Sequence, residues 1–363
     1  MNPIQLDPPM IRMPEFAPGE WLNSDKPLTK EALRGKVVLV DFWDYTCVNC
    51  VRTLPYLAAW HERYAPLGLI TVGVHAPEFS FGRTRKQMVD ALDEFAIRYP
   101  VLLDNDYETW LRFANRAWPT KYLIDASGYI RYRAQGEGRY QETELAIQEL
   151  LRQHSPSIAL PDLLPPLRDE DAPGAVCHRP TPELYAGSDR GSLGNAEGYG
   201  EGQPMIHALP EPVARAEGQF YASGIWKAEK ECLVYAGQEG GRLVLPYRAA
   251  TVNAVLSPSS DPVELLLDLP PDADRRKTVR DVPPIVEVRQ DGMNLRPENA
   301  GADIEYDDGG LSYVTVNRPR LFELVHNPEF EEHEIELVFH ANGLAVYAFT
   351  FTTCVLPNDS AKW

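Results

Sequence analysis

Cys47 and Cys50 are separated by Val48 and Asn49 and follow directly on Val37-Val38-Leu39-Val40-Asp41-Phe42-Trp43-Asp44-Tyr45-Thr46. The continuous apolar and β-branched run from Lys36 to Phe42 predicts a strand buried on both faces. Val51, Leu54, Leu57, Ala58 and Trp60 recur at helical spacing, which predicts a helix over 48–64 with Pro55 as an internal kink. A strand running straight into a helix puts Cys47 at the helix N-terminus, near orphan amide hydrogens and the positive end of the dipole. That position favours a thiolate, with a pKa of about 7 instead of about 8.5 expected. Cys50 lies one turn further on the same side of the helix and can close a disulfide with Cys47. Such a pair supports thiol–disulfide exchange, with Cys47 attacking and Cys50 resolving.

Two other readings compete for the same pair. A single Cys-x-x-Cys supplies half of a structural zinc site, but no second pair follows, and Cys177-His178 is the nearest candidate partner. The cysteines could also be incidental core residues; the strand before and the helix after them favour redox chemistry. No metal and no organic cofactor is expected. His75 and Glu78, at the end of a predicted strand Leu69–Val74, read as locally satisfied groups. Gly198-x-Gly200-x-Gly202 has neither a strand before it nor a helix after it, and reads as a mobile loop, not a phosphate site.

The elements that must position the pair alternate between types up to about Gln153. Helices are predicted over 86–99, 108–113 and 141–152, with short strands at 101–103, 121–125 and 130–134, the last two a hairpin split by Ser127-Gly128. From about Glu183 the pattern changes to short β-rich runs punctuated by Asp291-Gly292, Asp308-Gly309-Gly310 and Asn342-Gly343, a β-sandwich or jelly-roll signature. These runs cover 219–226, 231–235, 249–256, 263–267, 285–289, 312–316, 321–326, 334–340 and 344–352. Seven prolines between Ser155 and Pro182 predict a semi-rigid linker. The expected organisation is therefore an α/β domain over 1–153, a linker over 154–183 and an all-β domain over 184–363.

Composition limits the partners. The 363 residues carry 35 Lys and Arg against 53 Asp and Glu, a net charge of −18 that would repel a phosphate backbone or an anionic membrane surface. Nucleic acid is excluded on this ground. Pro3, Pro8, Pro9 and Pro14 interrupt a non-basic N-terminus, and no apolar run approaches the roughly 18 residues of a spanning helix, so neither a signal peptide nor a membrane anchor is expected. Five cysteines are too few for a disulfide scaffold. They suggest a reducing, cytoplasmic setting in which any cysteine pair is catalytic.

The sequence resembles the thioredoxin superfamily. Asp41-Phe42-Trp43 matches the strand end before the family's cysteines, Pro55 falls where its active-site helix kinks, and Trp118-Pro119-Thr120 fits its cis-proline loop. The long insertion Gly73 to Arg116 looks like that of TlpA-like and peroxiredoxin-like members. Tyr45-Thr46-Cys47-Val48-Asn49-Cys50, Gly73-Val74-His75-Ala76-Pro77-Glu78, Tyr99 to Asn105 and Trp118 to Asp125 resemble the soluble C-terminal portion of DipZ-type proteins. In those, a thioredoxin-like domain precedes a carbohydrate-binding-module-like β-domain.

The resemblance implies a thiol-disulfide oxidoreductase acting on protein or small-molecule disulfides and thiols. Its electron donor or acceptor is unidentified, because the membrane-embedded electron-delivering domain of DipZ-type proteins is not among these residues. It also implies a buried Asp41 with a raised pKa that takes the Cys50 proton. Trp118, Pro119 and Thr120 would contact substrate across a groove walled by Trp43, Tyr45 and Thr46. Tyr221, Trp226, Tyr247, Tyr313 and Tyr347 could stack on a glycan at the β-domain, or simply fill its core. A thiol peroxidase is the rival activity, although Pro-x-x-x-Thr-x-x-Cys is absent around Cys47, and a binding module using the first domain as a scaffold is the other rival.

Overall fold

The computed structural model describes residues 4–172, 175–200, 202–238, 240–258, 284–352 and 354–355. The chain divides into two units, Met1–Asp171 and Ala172–Trp363.

Unit 1 comprises β1 (Ile11–Arg12), β2 (Glu20–Leu22), β3 (Val37–Trp43), α1 (Val48–Tyr64), β4 (Leu69–His75), α2 (Arg85–Glu94), β5 (Val101–Leu103), α3 (Glu108–Arg112), β6 (Thr120–Ile124), β7 (Tyr129–Gln135) and α4 (Tyr140–His154). They build one seven-stranded sheet in the order β1-β7-β6-β3-β4-β5-β2. β3, β4 and β5 run parallel, whereas β6 is antiparallel to β3, so this is the thioredoxin-like α/β layout with an antiparallel edge.

All seven residues of β3 are buried, because helices or loops cover both faces. Its pleat sends Val38, Val40 and Phe42 into a core with Val72, Val74 and Trp110. Val37, Leu39 and Trp43 enter the other core, with Leu54, Leu57, Trp60 and Ile147 of α1 and α4. Asp41 falls on this second face by the same alternation. So does Lys121 on β6, whose neighbour-but-one Leu123 enters the α1 core while Tyr122 and Ile124 enter the other. The elements around the cysteine pair thus present two charged residues to an apolar interior.

Several differences from the sequence reading have local causes. The helix expected over 86–99 stops at Glu94, and Ala96 adopts φ 52°, which turns the chain before β5. β1 and β2, of two and three residues, are too short to leave a periodic pattern. Ser155 to Asp171, expected as linker, lies within unit 1: Ile158, Leu160 and Leu164 pack on the α1–α4 core. Proline removes donors but not acceptors, and here the Pro161 carbonyl accepts from Gln148 Nε2 at 2.8 Å while Leu164 N–H donates to Glu144 Oε2 at 2.9 Å.

Unit 2 is all-β: β8 (Val176–Cys177), β9 (Leu184–Tyr185), β10 (Pro204–His207), β11 (Tyr221–Ala228), β12 (Leu233–Tyr235), β13 (Gly241–Pro258), β14 (Ile285–Gln290), β15 (Met293–Asn294), β16 (Glu305–Tyr306), β17 (Ser312–Thr315), β18 (Arg320–Phe339), β19 (Leu344–Thr352) and β20 (Cys354–Val355). The strand expected over 263–267 lies outside the described residues. The two runs expected at 321–326 and 334–340 join into β18, with Asn327 and Pro328 falling at an irregularity in its pairing with β13, the place in a ladder that tolerates proline. β11, β12, β19 and β13 pair in a closed ring. Of the two readings of the aromatics, filling the core holds for Tyr221, Trp226 and Tyr247, which are buried in this unit; Tyr313 and Tyr347 are half-buried.

Cysteine usage also differs from expectation. Cys47, Cys50 and Cys232 are free, but Cys177 is disulfide-bonded, and the residue opposite it in the β8–β20 register is Cys354. A structural disulfide suits an oxidising compartment, so the cysteines do not support the cytoplasmic expectation. It also removes Cys177 as a zinc ligand. Among the described residues no group of His, Cys, Asp and Glu is arranged to hold a metal, and no helix is long and apolar enough to cross a membrane.

Gly73 of β4 sits opposite Asp41, and a Cβ there would lie 2.9 Å from Trp43 Nε1, 3.1 Å from Val101 and 3.2 Å from Tyr99. Gly73→Ala is therefore expected to destabilise unit 1 by about 2 kcal/mol through overpacking. Urea unfolding checks this; an unchanged midpoint would show that the indole has room to move.

Candidate active site

Cys47 is the N-cap residue of α1, with extended backbone (φ −84°, ψ 111°), and its Sγ accepts the Cys50 N–H at 3.3 Å. The geometry follows from β3 ending at Trp43 and a tight turn in which Cys47 N–H donates to the Asp44 carbonyl at 3.3 Å. Cys47 is half-buried, whereas Cys50, one turn inward, is fully buried among Leu54, Leu57 and Trp60. Cys47 is partly exposed as a residue, whereas Cys50 is not.

The expected ease of ionising Cys47 is corrected. Burial pushes its thiol up from the ordinary cysteine value, and the hydrogen bonds from Cys50 pull it back only in part, while Asp44 and Glu78 add further upward pressure. The helix start is where the sequence places it, but burial and a second anion push the thiol up. Burial drives Cys50 well above its ordinary value, with Cys47 adding to the effect.

That second anion is Asp44, which sequence reasoning did not single out. Burial alone would raise its pKa, but His75, the Glu78 amide and Thr46 together hold it below the usual carboxylate range. His75 Nε2 lies 3.2 Å from Oδ1, while Oδ2 accepts Glu78 N–H at 2.8 Å and Thr46 Oγ1–H at 2.9 Å. His75 is boxed by Tyr45, stacked at 5.6 Å, and by the edge of Trp43 at 5.5 Å. Thus His75 is satisfied at Nε2 only, its buried Nδ1 having no hydrogen-bond partner among the described residues, and the Nε2 partner is the residue that bears on Cys47.

Behind Cys50, Asp41 is fully buried, and neither carboxylate oxygen has a hydrogen-bond partner among the described residues. Burial raises its pKa to about 7, with Lys121 pulling in the opposite direction. Lys121, also missed in the sequence, is Asp41's register partner across β3 and β6 and is itself fully buried, its Nζ donating to the Gly136 carbonyl at 3.2 Å. The available signal was a lone charge in the apolar run Thr120-Lys121-Tyr122-Leu123-Ile124 at a position facing α1.

The expected groove residues divide. The Trp118–Pro119 bond is cis; Trp118 is half-buried, donates from Nε1 to the Ala76 carbonyl at 3.0 Å and packs on Trp110 at 4.5 Å. Trp43, Tyr45 and Thr46, expected as groove walls, and Thr120, expected to contact substrate with its side chain, are all at most 4% exposed and belong to the interior, which corrects both placements. Tyr45 donates to Gln87 Oε1 at 2.9 Å, and Thr120 Oγ1 donates to the Ala117 carbonyl at 2.8 Å. They hold the loops from behind.

Fold and site define a thioredoxin-like protein, and comparison with known sequences agrees. Residues 12–133 match the AhpC/TSA family model, and residues 181–352 match the model for the thioredoxin-like C-terminal domain. The chain is 35% identical over 239 residues to protein DipZ of Mycobacterium tuberculosis, covering 65% of this chain and 33% of that protein. It is 33% identical over 131 residues to human NHL repeat-containing protein 2, covering 35% of this chain and 18% of that one. To the thiol-disulfide oxidoreductase YkuV of Bacillus subtilis it is 31% identical over 130 residues, 35% of this chain and 85% of YkuV. The chain spans about a third of the DipZ proteins' length. It belongs to the thioredoxin-like thiol-disulfide oxidoreductases.

Two outcomes test the electrostatics. Asp44→Asn removes an anion near the nucleophile, so the Cys47 pKa should fall, read by thiolate absorbance during a pH titration; an unchanged or higher value would contradict the assignment. For Asp41, the folded-state pKa lies above the unfolded value of 3.8, so its burial opposes folding increasingly as pH rises from about 4 to about 7. Three pH units correspond to on the order of 4 kcal/mol. Asp41→Asn should therefore be more stable than the parent at pH 8, with the gain vanishing near pH 4; chemical unfolding at both pH values checks this, and a pH-independent difference would refute it.

Proposed function

We propose that the chain exchanges disulfides through the Cys47–Cys50 pair. In the reducing direction, Cys47 thiolate attacks a substrate disulfide, forming a mixed disulfide and releasing one substrate thiol. Cys50 then gives its proton to Asp41 and attacks Cys47 Sγ, which expels the second substrate thiol and leaves Cys47 and Cys50 oxidised. The observation that carries this reading is the half-buried residue Cys47 capping α1, its sulfur 3.3 Å from the amide nitrogen of a fully buried Cys50. Trp118, Pro119 and Thr120 supply the loop beside which an extended substrate segment would lie. Protein thiols are the substrate class suggested by relatives named thiol-disulfide oxidoreductases.

The AhpC/TSA match favours a second reading, thiol peroxidase. The absence of Pro-x-x-x-Thr-x-x-Cys around Cys47 speaks against it. For the second unit, the ring of strands supports a jelly-roll-like sandwich, and a binding role would fall to its surface, since three of its five candidate aromatics are internal.

Insulin reduction with a dithiol donor distinguishes these readings. Cys47→Ser should lower turnover at least 100-fold, and Cys50→Ser should accumulate a stable mixed disulfide visible by mass spectrometry. Turnover unchanged by either substitution, or rapid peroxide consumption by Cys50→Ser, would overturn the proposal.

A further inference from the structure

Beyond α4, Ser155 to Asp171 folds back onto the first unit, and its end grips the loop between β7 and α4. That loop is Gly136-Glu137-Gly138, with φ 83° at Gly136 and 86° at Gly138. Glycines on both sides leave the backbone free to move, so the place of the loop is set by what its groups bond to. Gly136 N–H donates to the Pro119 carbonyl at 2.8 Å, which ties the loop directly to the cis-proline loop. Glu137 Oε1 accepts from Arg52 Nε at 2.7 Å and from Arg168 Nη2 at 2.7 Å. Arg52 stands in α1 just after Cys50, and Arg168 comes from the returning segment.

We propose that Arg168 is a positioning residue for substrate binding: through Glu137 it holds the cis-proline loop and the start of α1 in one fixed arrangement, which a protein substrate needs and a small disulfide does not. The inference rests on the disulfide-exchange reading and deepens it, by assigning part of the order of the substrate groove to a segment outside the sheet and helices α1 to α4.

The contacts around Arg168 suit this role. Its guanidinium makes a two-point fork on Asp171, Nε donating to Oδ2 at 2.8 Å and Nη2 to Oδ1 at 2.7 Å, while Nη2 also reaches Glu137. Asp171 Oδ2 accepts the Tyr56 O–H at 2.8 Å, and Tyr56 Oη accepts the Leu167 N–H at 2.8 Å, so α1 holds the segment at two points. Tyr56 stacks on Tyr140, the first residue of α4, with centroids 3.7 Å apart and planes at 7°. Isolated surface ion pairs contribute little, but Arg52, Glu137, Arg168 and Asp171 form a network with a bidentate member, and their side chains are only 12% to 22% exposed. Two cations face two anions, so the network leaves no net charge uncompensated. An extended substrate pairs its backbone with the loop it lies beside, and a shift of that loop weakens its binding. Ellman's reagent has no backbone to offer, and its attack by Cys47 does not draw on the groove.

The test uses the full chain and compares two substrates. With insulin and dithiothreitol as donor, Arg168→Met and Arg168→Gln should each raise KM at least about fivefold with kcat little changed, the sign of lost binding. In single turnover with Ellman's reagent, the reduced variants should release the first thionitrobenzoate at the parent rate, which also shows that they are folded. Glu137→Gln should raise the insulin KM to at least the same extent, and adding Arg168→Met to it should raise KM no further, because the arginine acts through that carboxylate. Arg168→Lys keeps the charge but loses the fork, and its KM should lie between those of the parent and the neutral variants. An insulin KM unchanged in both neutral variants, additive effects in the double variant, or equal slowing with insulin and Ellman's reagent shows that Arg168 does not position the groove, and the inference fails. If Cys47→Ser keeps full insulin turnover, the disulfide-exchange reading fails instead.

Discussion

Everything in the first unit is arranged around the burial of one carboxyl group. The pleat of β3 gives alternate residues to opposite cores, and Asp41 falls on the face that α1 covers, in line with Leu39 and Trp43. It cannot turn outward without shifting the register of a strand paired on both sides, since β4 and β6 hold β3 through most of its length. The close approach of Trp43 to Gly73 tightens the same region. A group that opposes folding at neutral pH is thereby fixed behind the inner of two thiols, which is where the proposed chemistry needs a base.

The electrostatics of the two sulfurs are consequently unlike a simple helix-start picture. Cys47 has the favourable dipole of α1, but it shares its neighbourhood with Asp44, an anion held by His75, Thr46 and the Glu78 amide. Burial raises the Cys47 thiol, and Asp44 adds to that rise. The helix sets where the sulfurs lie, and the residues under its first turn set how readily they ionise.

The strand, the helix and their junction were legible because a continuous β-branched run and a helical apolar stripe are strong periodic signals, and α1 spans the residues that its pattern predicts. Pro119 could be placed by its resemblance to a known loop. What could not be read is pairing across the sheet. Asp44 and His75 are 31 residues apart, and Asp41 and Lys121 meet only because β6 lies antiparallel beside β3. Exposure was equally hidden: Trp43 and Tyr45 look like groove residues by position, and only the packing of His75 between their rings shows them to be interior. In the second unit, Asn327-Pro328 broke a strand on paper that the sheet accommodates with an irregularity, and the pairing of β8 with β20 joins segments far apart in sequence.

The account's central claim is that Cys47 and Cys50 form one two-electron redox couple, separate from the bonded Cys177 and from Cys232, whose thiol burial pushes up to about 12. It is tested most directly by equilibrating the chain across a series of dithiothreitol redox buffers, trapping free thiols by acid and alkylation, and locating the label by peptide mass spectrometry. The prediction is that labels on Cys47 and Cys50 disappear together in a single two-electron transition while Cys232 stays reduced. Loss of one label without the other, or a Cys47–Cys50 peptide that remains fully labelled at every potential, would contradict it.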